Sequence, residues 1–586
     1  MKLREVLWAV SFVTLSFLLT ACSPSIQEKK EQFGKTLTAL TEQGFVLQKQ
    51  SDEREKSLYL LKLDRSEAVA SFLLRSATGS SDPELKELLV RTMKGLRLQL
   101  EVDWPRYAKG EPKSVVAYLL PREGNVTGEW ARLLREKKIA ADLDFDKEGK
   151  LKRVALHPLD EVLKKKDKTG HLLMKDTVIE IDRSGKEPFD QAYRLHSALL
   201  QFGMQTPQGE ALQLVYRNLQ CGVDTRDAYF GTRDCTVDSL TMEIREPGKS
   251  GQDKTRVTVE TLEANNSTIK KGSAVVSRGR LGIVKMDVAE ESPETKGTTT
   301  LKGIELTGNG RGIDEGIYRR LADLIANPPA DQRIYGAKLL GTLSDLFKKL
   351  TLGYTLKIDK VTGRVEMPGR QETTHFSMDG MRLGVDWSLA DDLNISKMFT
   401  LASARLSHER RGQEEEGGSI RNLALKIRID KLYNFMPSLM KLAAKEAANP
   451  RKNPDPQTRK ALAELGAEVL HRGAEVAIDS LSFDALKAQK ANEKKSFDTV
   501  SLRLHAELTP NHLDPSNPLA PMMALAYLKA DGELTLSKKD LEQLLPLLDP
   551  AMGMMVASFV RYEGDKARFT LRFEQGNLLI NGKPLH

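Results

Sequence analysis

Apolar and polar residues alternate with period two through much of the chain, which predicts half-buried antiparallel strands with one wet face. Leu383, Val385, Trp387 and Leu389 share one face of such a strand. So do Leu423, Leu425, Ile427 and Ile429, opposed by Asn422, Lys426, Arg428 and Asp430. Leu502, Leu504, Ala506 and Leu508 repeat the pattern. Residues 57–63 and 96–104 read as shorter strands. Residues 140–145 and 151–156, joined by "DKEGK", predict a hairpin. "KTRVTVETLEANNSTIKKGSAVV" and "RGRLGIVKMDV" continue in the same style, and "HERRGQEEEGG" reads as a long polar hairpin tip.

Helical spacing interrupts this pattern. Residues 27–44 carry Phe33, Leu37 and Leu40 at three- and four-residue intervals, with Gly44 as a stop. Asp64 is placed to cap a helix bearing Val69, Phe72 and Leu73, and Pro83 behind Asp82 opens another. Two longer helical blocks follow, Ile317 to Leu350 broken at "NPPADQ" and Leu432 to Ala474 broken at "NPRKNPDPQ". The expected fold class is therefore α+β: long twisted antiparallel sheets with covering amphipathic helices, and an open apolar groove wherever helices leave the sheet bare. The expected organisation is a leader over 1–21, an N-terminal α+β region over 22–250, a middle strand region with a helical pair over 251–370, and a C-terminal α+β region over 371–586.

The leader has a charged start at Lys2 and Arg4 and an apolar run from Leu7 to Leu19, short for a membrane span. Its end, Leu19-Thr20-Ala21-Cys22, resembles the lipobox of bacterial lipoproteins. That resemblance implies diacylglycerol on the Cys22 thiol, cleavage before Cys22 and acylation of the new amino end. Several acyl chains on one residue would anchor a body to a membrane stably, at about 0.8 kcal/mol per buried methylene. Ser23, in place of an aspartate, implies the outer membrane facing the periplasm. The other reading is an ordinary cleaved signal or a signal-anchor helix with an incidental cysteine.

Composition narrows the classes. The 586 residues are 40% hydrophobic and 29% charged, enough apolar material for packed cores and too much for a disordered chain. A net charge of +8 over 89 basic and 81 acidic residues is a weak field that does not argue for nucleic acid, and no nucleic-acid partner is expected. The densest basic run, Lys164-Lys165-Lys166 and Lys168, reads as a solvated helix end. Cys221 and Cys235 remain as an even pair in an exported chain, which reads as a structural disulfide rather than a redox site, since no Cys-x-x-Cys is present.

Catalytic motifs are sparse. "ELTGNGRGIDEG" places glycines at 308, 310 and 312 but has Ile313 where a dinucleotide fingerprint needs its third glycine. It reads as a glycine-rich strand end or bulge leading into a helix. The nine histidines do not fall at metal-ligand spacing, and no Gly-x-Ser-x-Gly or phosphate loop is present. No catalytic, cofactor-binding or metal-binding residue is therefore expected, and the chain reads as a non-enzyme. Met522, Met523, Met552, Met554 and Met555 gather near the end; core packing is the expected role, an adaptable apolar surface the alternative.

The last two hundred residues resemble the YdgA-like family of bacterial envelope proteins. "SIRNLALKIRIDKL" is similar to that family's strand running into a long helix, and "GAEVAIDSLSFDAL" to its return strand. "ALAYLKADGELTLSKKDLEQLLPL" resembles its strand and capped helix, and "RFTLRFEQGNLLINGKPL" its closing hairpin. The resemblance implies a fold and an envelope location and carries over no catalytic residue. Family members usually begin with an uncleaved anchor, from which the lipobox departs. The functional expectation is a protein held to the membrane through lipidated Cys22 that binds a lipid ligand or an envelope protein partner along an apolar sheet face. The alternative is a structural or adhesive surface lipoprotein serving as a rigid spacer.

Overall fold

A computed structural model of the chain describes residues 29–584, apart from 32, 35–36, 39–40, 42–44, 63–89, 91–95, 122–128, 146–150, 166–167, 183–190, 226–229, 248–251, 327–328, 330, 390–391, 411–412, 449–455, 491–492, 514–516, 518 and 546–549. The helices expected from Asp64 and Pro83 lie outside the described residues. So does Cys22. The chain divides into two compact units, one comprising 1–268 with 322–329 and the other 269–321 with 330–586.

The first unit opens with a small packed region. Strands β1 (Val46–Asp52), β2 (Lys56–Lys62), β3 (Arg97–Asp103), β4 (Val115–Leu120), β5 (Ala140–Phe145) and β6 (Leu151–Leu156) each pair antiparallel with the next. The 140–156 hairpin forms with the strand bounds expected from its alternation. Helical residues between 29 and 41 bring Phe33 against Tyr59, Trp104, Tyr107 and Phe145, with ring centroids 5.5–6.1 Å apart. The Trp104 indole N–H donates to Ser57 Oγ at 2.7 Å, and Ser57 donates to Asp52 at 2.6 Å, so the buried indole is satisfied. Helix α1 (Trp104–Lys109) starts at Asp103, which accepts from the Arg106 N–H, and stops at left-handed Gly110. Helix α2 (Glu129–Arg135) follows β4.

The short β7 (Leu159–Lys165) leads into the longer strands β8 (Lys168–Asp182), β9 (Gln191–Gln205), β10 (Ala211–Thr225), β11 (Gly231–Pro247) and β12 (Gln252–Lys271), the last ending just past the division at 268. Lys164, Lys165 and Lys168, expected at a helix end, instead end β7 and begin β8, with Lys165 opposite Lys168. Leu159 and Leu163 share the face that carries Leu172 and Met174 on β8, and this outweighs the helix-like charge run.

The second unit is a meander whose first eight strands, at 16 to 21 residues, are about three times the usual five or six. It comprises β13 (Ala274–Glu291), β14 (Lys296–Asp314), β15 (Thr351–Met367), β16 (Glu372–Leu389), β17 (Asp392–Arg410), β18 (Gln413–Tyr433), β19 (Ala474–Lys490), β20 (Glu493–Leu508), β21 (Leu528–Ser537), β22 (Arg561–Glu563), β23 (Lys566–Glu574), β24 (Asn577–Ile580) and β25 (Lys583–Pro584). From β13 to β21 each pairs antiparallel with its successor, and β23 then joins β21.

Both units use one device that the alternation alone does not disclose. Inward apolar residues of β16 are even-numbered up to Met378 and odd-numbered from Met381; those of β15 change phase between Ile358 and Val361, and those of β14 between Leu301 and Ile304. The changes stand side by side. Lys302 pairs with Lys360 and Ile304 with Ile358, so Gly303 faces Asp359, which in turn faces Gly380. Gly303, Gly380 and Asn422 hold φ of 61°, 63° and 50° there. In the first unit Asp176, Asn218 and Thr261 do the same at 48°, 50° and 49°. A one-residue change of phase would turn a regular strand's apolar set to the opposite face. In β14, β16 and β18 a left-handed residue absorbs it, and the apolar side chains stay on one side for the whole strand.

The α+β expectation is corrected. Strands take 65% of the described residues and helices 22%, the helices being few and short. They pack at strand ends and at one corner, and among the described residues they do not cover the sheet. Helix α3 (Glu315–Ala326) places Ile317 and Leu321, and α4 (Gln332–Leu346) places Leu343 and Leu346, on Leu350, Leu352, Leu389, Leu393 and Leu432 at the strand ends. Helix α5 (Met436–Ala448) joins α4, with Ser344 Oγ donating to the Pro437 carbonyl at 2.7 Å. In α6 (Pro456–Arg472) the Arg472 guanidinium lies 4.5 Å from the Tyr433 ring centroid. After the short α7 (Ala520–Ala524), α8 (Lys538–Leu544) and α9 (Pro550–Phe559) bring Leu541, Leu544 and Val556 onto Leu534, Leu536 and Phe569. Both helical blocks break where their proline-rich segments predict. Their lengths reach only the rim of strands of 16 to 21 residues.

Candidate functional site

Antiparallel register lines up side chains directly opposite one another on one face. In the second unit this produces a row of ten apolar residues across ten strands: Leu281, Leu306, Leu356, Leu383, Phe399, Leu425, Leu481, Leu502, Leu534 and Phe569. Nine strand spacings make it about 43 Å long, more than the ~30 Å of a bilayer's hydrocarbon core. None of the ten is fully buried; Leu306 is 41% and Leu383 42% exposed.

A second row beside it runs Tyr354, Val385, Lys397, Ile427, Ile478 and Leu504, and a third Leu352, Trp387, Ile395, Ile429, Val476 and Ala506. Tyr354, Trp387, Val476 and Leu504 are likewise exposed. The opposite face is polar. There Arg280 pairs with Glu305 at 2.8 Å, Lys357 with Asp359 at 2.8 Å and Lys426 with Asp479 at 3.0 Å. His505 sits between Asp531 at 3.1 Å and Glu475 at 3.0 Å, and those carboxylates raise its pKa. The face that can accept a ligand is thus the apolar one, closed by α3 and α4 at its strand ends, by α8 and α9 at one corner, and bare between.

In the first unit the equivalent face carries Leu172, Phe202, Leu214, Met242 and Val257 in one row and Ile179, Leu195, Cys221, Cys235 and Ala264 in another. Cys221 and Cys235 are bonded to each other, directly opposite across β10 and β11 with Cα atoms 4.1 Å apart. A recess of about 220 Å³ is lined by His171, Gln201, Gln213, Glu243 and Arg245. Burial would raise the Glu243 carboxyl, but Arg256, Arg245 and Lys254 outweigh it and hold its pKa at about 2.

The other sequence-derived residues separate. Gly308, Gly310 and Gly312 end β14 just ahead of α3, the strand-end arrangement their spacing suggested. Gly312, at φ 79°, has the Lys349 carbonyl 1.9 Å from where a Cβ would sit, so close backbone packing accounts for it. Met522 and Met554, expected in the core, are 71% and 72% exposed, and Met523 is also exposed. The side chains of Met552 and Met555 lie outside the described set. Among the described residues no three metal-ligating side chains cluster, and no helix is long and apolar enough to cross a membrane.

Individual strands in these rows were recognisable by alternation, but their alignment was not. The signal that would have found it is the phase change recurring once in each long strand. No family model, curated protein or solved structure matches the chain.

Proposed function

We propose that this chain is a lipid-anchored protein of the bacterial envelope that binds the acyl part of a lipid along the bare apolar face of its second unit, without catalysis. The eight residues of this row from Leu281 to Leu502, ahead of the corner where α8 and α9 pack on Leu534 and Phe569, carry this reading. Contiguous apolar surface beyond a few hundred Å² marks an interaction site, and the bare rows span on the order of 800 Å² of sheet. Ladder hydrogen bonds lie within the sheet, so the face presents almost only aliphatic and aromatic side chains. Such a floor suits a non-directional ligand, each methylene it removes from water contributing about 0.8 kcal/mol. A rigid spacer would favour a closed core, and the exposed Leu306, Tyr354, Leu383 and Trp387 weigh against that alternative. The anchor and the envelope location rest on Leu19-Thr20-Ala21-Cys22 and on the resemblance of the C-terminal region.

Native mass spectrometry of the purified full-length chain tests the reading. The expected result is a non-covalent added mass of lipid that is lost in Leu383→Glu, a substitution at a half-exposed position that leaves the unfolding midpoint close to wild type. A bare mass under conditions that retain lipid on a known lipid-binding control would overturn it.

A further inference from the structure

Lys397 is the one charged side chain between the third row and the phase change on the bare face, among the described residues from β13 to β23. Across the strands it lies between Val385 and Ile427, and two residues away along β17 are Ile395 and Phe399. The side chain is exposed, and among the described residues it has no ion pair or hydrogen bond. The contrast with the polar face is sharp. There Lys357, Lys360 and Lys426 each lie within 4 Å of a carboxylate.

A lysine on an apolar floor keeps its stem along hydrocarbon and its ammonium toward water. An anion that binds the floor by its own hydrocarbon would bring its charge to that ammonium, where Val385, Ile427, Ile395 and Phe399 supply no competing carboxylate. We infer that Lys397 makes the face selective for a fatty acid, its ammonium pairing with the carboxylate while the hydrocarbon tail lies along the flanking rows. A phospholipid fits less well. Its glycerol and phosphodiester oxygens would need several polar partners, and the four neighbours offer only hydrocarbon. This inference rests on the lipid-binding reading and adds the chemistry of the head group.

The test compares hexadecanoate with hexadecanol on the full-length chain, as wild type, Lys397→Met and Lys397→Arg. The tails are equal and only the head groups differ. Wild type should bind the acid about tenfold more tightly, the range of one charge-assisted hydrogen bond. Lys397→Met should bring the acid down to the alcohol and leave the alcohol unchanged, and Lys397→Arg should keep the preference. Equal binding of acid and alcohol by wild type, or a preference that survives in Lys397→Met, would overturn the role of Lys397 while leaving lipid binding intact. Tighter binding of dioleoylphosphatidylglycerol than of hexadecanoate would overturn the choice of a fatty acid. Binding of none of the three would overturn the lipid reading itself, and this inference with it.

Discussion

Asn422 Nδ2 donates to Asp484 Oδ2 at 2.9 Å from a residue held at φ 50°, where β18 changes phase. Asn218, also at φ 50°, makes the same bond to Asp238 at 2.7 Å in the first unit. Asparagine tolerates left-handed backbone better than most residues, and here its amide also finds a partner on the polar face. These positions keep the apolar rows on one side.

The Asn422 position separates backbone from side-chain effects. Asn422→Gly, which relaxes the backbone and loses one exposed hydrogen bond, should change stability by less than about 1 kcal/mol. Asn422→Val should cost about 1–2 kcal/mol more, because a β-branched residue resists φ near 50°. Urea unfolding of the two variants checks this, and equal losses would contradict a left-handed requirement.

Glu243 sets a pH dependence of known sign. Its carboxyl has a pKa of about 2 in the folded chain, below the ordinary 4.5, because three cations outweigh the cost of burial. A depressed folded pKa means stabilisation that is fully present above about pH 4.5 and lost as the pH falls toward 2. Its size is about 1–3 kcal/mol, kept modest because the arginine partners are half-exposed. Glu243→Gln should lower stability at pH 7 and flatten the acid limb of a pH–stability curve measured by denaturant midpoint.

The Cys221–Cys235 bond crosses neighbouring strands and encloses a short loop. Replacing both residues with alanine should cost about 2–4 kcal/mol, through the freedom the unfolded chain regains. Unfolding with and without reductant measures it. Wild type should fall to the level of the double variant on reduction, and the variant should ignore the reductant.

Much of the secondary structure was legible without coordinates. Leu383 to Leu389 and Leu423 to Ile429 lie in strands as their alternation predicts, the 140–156 hairpin keeps its expected bounds, and the breaks at "NPPADQ" and "NPRKNPDPQ" separate helices. These are local properties, set by period, turn chemistry and proline. Strand length was harder to see. The phase change at Gly303, Gly380 or Asn422 interrupts period two, so one strand of 18 to 21 residues looks like two short ones with a loop between. Helices long enough in sequence to suggest a covering layer reach only the strand ends and one corner of the sheet.

The sequence by itself determined which residues are apolar, which face each alternating run marks, where proline-rich segments break the helices and, with Cys22 read as the lipidation site, that Cys221 and Cys235 are the pair left to each other. Only the tertiary structure decided that Leu383 stands between Leu356 and Phe399, that Lys397 stands alone among hydrocarbon, and that the helices stop at the rim. The reason is physical. Alternation specifies a face within one strand, whereas a row across ten strands depends on every register between them, and register is a property of pairs of strands distant in sequence.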